Sequence, residues 1–82
     1  MVNKTELQSR ITIDPKIMVG KPTIRGMRIT VEQILKALSS GISEEDILKE
    51  YPELEKEDFQ AVYLYATGLV EEEQVFLIED PS

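Results

Sequence analysis

The chain of 82 residues contains neither cysteine nor histidine. The first absence removes any disulfide framework and any thiolate metal site. The second removes the commonest general base, and together they exclude a structural zinc site. Long apolar runs are also lacking. None approaches the roughly 20 residues of a membrane span. Met1-Val2-Asn3-Lys4-Thr5-Glu6 has no hydrophobic region of the signal-peptide kind. The expectation is one small cytoplasmic domain, with no cofactor, no metal and no membrane partner. A chain of this size buries only about 60–65% of its unfolded surface, so a second copy or a partner would add to its core.

Basic charge is scarce but concentrated. Nine Lys and Arg face sixteen Asp and Glu, for a net charge of −7. Residues 1–36 carry seven basic groups against Glu6, Asp14 and Glu32, which is +4. Residues 37–82 carry Lys49 and Lys56 against thirteen acids, which is −11. Such polarity points to an anion-binding face at one end or to attraction between molecules.

The basic end centres on Gly20-Lys21-Pro22-Thr23-Ile24-Arg25-Gly26-Met27-Arg28-Ile29-Thr30. Gly26 accepts positive φ and Pro22 fixes its own φ, so a tight turn or hairpin is predicted, with Lys21, Arg25 and Arg28 close together. These three are the candidate nucleic-acid-binding residues. The alternative is a hairpin that merely caps a helical bundle. Ahead of it, Ile11-Thr12-Ile13 alternates like a short strand that Asp14-Pro15 turns, and residues 1–10 read as a flexible arm.

Three helix starts share one grammar. Thr30 precedes Val31-Glu32-Gln33-Ile34, a capping box in which Ile29 and Ile34 form a hydrophobic staple. Ser43 and Asp46 repeat the spacing, with Ile42 and Ile47 as the staple. Leu54 and Phe59 repeat it again across Glu55-Lys56-Glu57-Asp58, where Glu55 is a poor cap. Apolar spacing then predicts helices near residues 31–40, 44–51 and 56–70. Gly41 stops the first, Pro52 the second, and Gly68 either ends the third or is tolerated within it.

A short hairpin followed by three helices is the outline of a helix-turn-helix domain over residues 11–70, mainly α. A plain three-helix bundle has the same outline. The third helix would be the reading helix, yet it begins with Glu55, Glu57 and Asp58, which repel phosphate. Any contact with nucleic acid would therefore run through Lys21, Arg25 and Arg28.

The ordered elements Ile11 to Pro15, Gly20 to Ile29, Gly41 to Leu48, Tyr51 to Leu54 and Asp58-Phe59 together resemble the prokaryotic family called domain of unknown function 433. That resemblance covers about residues 11–66. It implies a homeodomain-like helical fold and an antitoxin-like regulatory role, with DNA and a toxin-like protein as partners. A protein–protein interaction module of the same shape, without nucleic-acid binding, is the other reading.

Enzyme chemistry finds no support. Gly20-Lys21 is not a phosphate loop, because Pro22 stands where Ser or Thr is needed. Glu71-Glu72-Glu73 lacks calcium-loop spacing and reads as a solvated face. No nucleophile, base and oxyanion site come together, so no catalytic residue is assigned. Asp14 with Arg25 or Arg28 is a candidate structural ion pair. Residues 71–82 read as an acidic, then apolar tail, in which Val75, Phe76, Leu77 and Ile78 are candidates for a partner or dimer interface, and a homodimer is expected.

Overall fold

The structure is a computed structural model that describes residues 3–79, with side chains through Glu71. Its order is α1 (Lys4–Ser9), β1 (Ile11–Thr12), β2 (Thr23–Ile24), α2 (Val31–Ser39), α3 (Glu44–Glu50) and α4 (Lys56–Glu79). The domain is mainly helical, with three main helices, α2 to α4, preceded by a two-stranded antiparallel pair. Among the described residues no helix is long and apolar enough to cross a membrane.

Local signals explain most of these elements. Thr30 accepts a hydrogen bond from the Gln33 backbone N–H at 3.0 Å, and the Gln33 side chain accepts from the Thr30 N–H at 2.9 Å. Both halves of the capping box are therefore formed, and the stapling residues Ile29 and Ile34 are buried. Ser43 caps α3 through the Asp46 N–H at 3.1 Å. At the end of α2, Gly41 has φ +94°, the Ile42 N–H bonds Ala37 O at 3.1 Å and the Gly41 N–H bonds Leu38 O at 3.0 Å. This pair of bonds is a Schellman motif, which needs the left-handed residue at Gly41.

β1 and β2 pair with Ile11 opposite Ile24 and Thr12 opposite Thr23, and the Thr hydroxyls lie 3.1 Å apart. Beyond Ile24 the chain turns at Arg25 (φ 46°) and Gly26 (φ 74°), closed by Met27 N–H to Ile24 O at 2.8 Å. Two left-handed central residues make this a type I′ turn, in which glycine fits the second place without strain. The chain then returns so that Thr23 bridges Thr30. Ile24, Ile29, Val31, Ile34, Ile47, Leu54, Phe59 and Val62 form the buried core beneath the hairpin and the three helices.

Two features depart from the sequence reading. Residues 4–9, read as part of a flexible arm, form a helix, because Asn3 caps it through the Glu6 N–H at 2.8 Å and α1 then packs on α4. The third main helix does not end near residue 70. A Cβ at Gly68 would meet nothing within 4 Å, so no close packing requires the glycine there, and the backbone continues helical to Glu79. Val75, Phe76, Leu77 and Ile78 thus lie on this helical backbone, while their side chains fall outside the described residues. Between β1 and β2, where the sequence carried no reading, Met18 (φ 51°), Val19 (φ 56°) and Gly20 (φ 79°) make a left-handed turn, which for a β-branched residue is strained.

Candidate functional site

The chain's basic hairpin and its acidic helix start meet in one ion-pair network. The type I′ turn aims Arg25 across the core rim at α4. Its Nε donates to Asp58 Oδ1 at 3.1 Å and its Nη2 to Asp58 Oδ2 at 2.9 Å, with a further bond to Glu53 O at 2.8 Å. This fork-to-carboxylate geometry is the strong, bidentate kind. From the other side Arg10, which follows α1, donates to Asp58 Oδ1 at 3.0 Å and to Glu55 Oε1 at 2.7 Å. Glu6 holds the same guanidinium from within α1 at 3.1 Å. Asp58 is fully buried and also accepts the Glu55 backbone N–H at 2.8 Å, which satisfies an orphan donor at the start of α4.

Electrostatics follow from this arrangement. Burial alone would push the Asp58 carboxyl up, but the bonds from Arg25, the Glu55 N–H and Arg10 hold it below its usual value. The partners respond in kind. Hydrogen bonding to Glu55, then to Glu6, raises Arg10, and hydrogen bonding to Asp58 raises Arg25.

Consequently the three candidate basic residues have different fates. Arg25 is committed to Asp58. Lys21 donates to Glu32 at 2.9 Å, and Lys36 reaches the same carboxylate at 3.3 Å, so that Glu32 is held below its usual range by Lys21 first and Lys36 second. Arg28 alone of the three is exposed with no carboxylate in salt-bridge range among the described residues. The expected ion pair of Asp14 with Arg25 or Arg28 does not form. Asp14 instead accepts the Lys16 N–H at 2.9 Å, a local turn, while Arg25 takes the buried Asp58.

The start of α4 carries less free negative charge than its sequence suggests. Asp58 is buried between two arginines and Glu55 is bound by Arg10, which leaves Glu57 half-buried. Lys56, Gln60, Tyr63 and Thr67 occupy the exposed side of α4. Tyr63, however, donates to Glu44 of α3 at 2.6 Å, a bond that raises its phenol. Around it α3 is anionic, with Glu45, Asp46 and Glu50 exposed and only Lys49 to offset them.

Sequence reasoning missed Asp58 and Arg10 as the centre of this site. One signal was present: Asp58 stands three residues after Glu55, the spacing of a capping-box partner that reaches back. Arg10, assigned to a loose arm, had no such signal.

Further along α4, Tyr65 and Leu69 form a ridge with a groove on each side. One groove, about 430 Å³, lies against α1 and β1 and is lined by Ile11, Ile13 and Leu64. The other, about 460 Å³, lies against α2 and is lined by Pro22, Val31 and Leu35. Leu69 is 50% exposed and Ile13 is 60% exposed.

Comparison with known proteins agrees with this architecture. The family model described as "Protein of unknown function (DUF433)" matches residues 11–66. An uncharacterized protein of Sinorhizobium fredii is 32% identical over 56 residues, which are 68% of this chain and 25% of that protein. The chain thus spans about a quarter of the length of that curated relative. A crystal structure of a DUF433 member protein from Anabaena variabilis superposes with a TM-score of 0.73 at 28% identity, over 92% of this chain and 74% of that one.

Proposed function

The chain belongs to the DUF433 family, and from that premise we propose a non-enzymatic regulatory protein of antitoxin type that acts by gripping a protein partner. The partner class is a toxin-like protein with a cationic surface. The carrying observation is the sign of the surface that the helix-turn-helix pair offers. Glu45, Asp46 and Glu50 of α3 are exposed beside Glu53 and Glu57. A DNA reader needs the opposite sign there, since phosphate contacts supply most of its affinity. A protein that itself handles polyanions, as a nuclease-like toxin does, carries a cationic cleft complementary to this face.

The test is co-expression with the product of the adjacent gene. The wild-type chain is expected to relieve growth arrest and to co-purify. The triple charge reversal Glu45→Lys, Asp46→Lys, Glu50→Lys should weaken the complex at least tenfold with helical content unchanged. Equal neutralisation by the triple variant would refute the reading.

A second reading, weak DNA binding at the hairpin, draws on Arg28, which is exposed and uncommitted among the described residues, and on Lys56, Gln60 and Thr67 along α4. Because Arg25 and Lys21 are already paired, this reading expects one phosphate contact from the hairpin rather than three.

A further inference from the structure

We propose that the Tyr65–Leu69 ridge of α4 is the seat of a second copy of this chain, packed antiparallel across it about a two-fold axis. An isologous interface must be self-complementary, with the same patch serving as knob and as hole. This face meets that condition. A helical ridge stands between two apolar grooves of about 430 and 460 Å³, so the ridge of one copy fills a groove of the other. Leu69 and Val70, both about half exposed, and Ile13 supply the apolar area that contact with a second copy would cover. Tyr65 lines both grooves and has its base packed against the core, as an anchor residue of an interface does.

Charge favours a second copy over an unrelated occupant. Lys4 stands at the rim of one groove with Glu71, and Lys21 and Lys36, which share the single carboxylate of Glu32, stand at the rim of the other and leave it net positive. The ridge itself runs directly into Glu71, followed in the sequence by Glu72 and Glu73. Antiparallel pairing brings the acidic end of each ridge toward the groove of its mate where two lysines share one carboxylate, whereas parallel pairing would set the two acidic runs side by side. The remaining requirement is area. A stable interface of standard size covers about 800 Å² on each partner, to which the walls of both grooves and the exposed Ile13, Leu69 and Val70 contribute.

Sedimentation velocity on the full chain, from low to high micromolar concentration, tests this. The wild type is expected to be a dimer at the upper end. Leu69→Arg places a charge on an exposed ridge position and should shift the chain to monomer by at least tenfold in Kd, with its circular dichroism unchanged. Glu71→Lys should weaken the dimer less and remove its salt dependence. Ile42→Arg, an exposed apolar position on the turn between α2 and α3, should leave the dimer intact. A wild type that stays monomeric at high micromolar concentration would overturn the proposal, as would a Leu69→Arg dimer as strong as the wild type, or dissociation by Ile42→Arg. The readout needs neither DNA nor a toxin-like partner, so its failure is separate from failure of the proposed function.

Discussion

Asp58 ties three separate parts of this fold together. It is buried at the start of α4, held by Arg25 from the hairpin and by Arg10 from the end of α1. Removing one partner of a buried pair leaves an uncompensated charge, which costs more than the pair contributes net. Asp58→Asn should therefore destabilise the domain by about 3 kcal/mol in urea denaturation. The pH dependence has a definite sign. The folded carboxyl titrates below the unfolded one, so its contribution is complete above the ordinary Asp value of about 3.9 and is lost as pH falls through the folded value. Stability should be flat in this respect from neutral pH down to about 4, decline below it, and decline less in Asp58→Asn. An Asn variant with wild-type stability would remove the network from its central place.

At the scale of elements, legibility in the sequence follows from how local the cause is. Thr30 to Gln33, Ser43 to Asp46 and Gly41 are signals that act within one helical turn, and each is realised as read. The hairpin at Arg25-Gly26 was equally local. What the sequence hid were partners distant along the chain: Arg10 lies 48 residues from Asp58, and Arg25 lies 33 residues from it. Net charge counts treated those groups as free, although the fold had spent them on each other. The same reason explains α1. Six residues make no stable helix alone, and it is contact with α4 that holds this one. A local signal predicts a local cost. Thr30→Ala should lower stability by about 1 kcal/mol, a fall of roughly 4–8 °C in Tm, because the Gln33 N–H loses its cap. An unchanged melt would mean that water replaces the Thr30 hydroxyl without loss.

For the whole molecule, the uneven charge of the chain becomes a question of which face is free to act. The basic half is largely consumed: Arg10 and Arg25 by Asp58, Lys21 and Lys36 by Glu32. The acidic half keeps its exposed carboxylates on α3. On the proposed reading, the α3–α4 face has the wrong sign for tight reading of DNA and the right sign for a cationic protein. The most direct measurement is a fluorescence-anisotropy titration of duplex DNA from upstream of the gene, carried from about 50 to 200 mM salt, the range over which phosphate contacts reveal themselves. The account predicts weak binding with a shallow salt slope of about one, lost in Arg28→Ala and unaffected by Gln60→Ala. Tight, sequence-selective binding with a slope of several units, abolished by Lys56→Ala or Gln60→Ala, would contradict it and return α4 to the major groove.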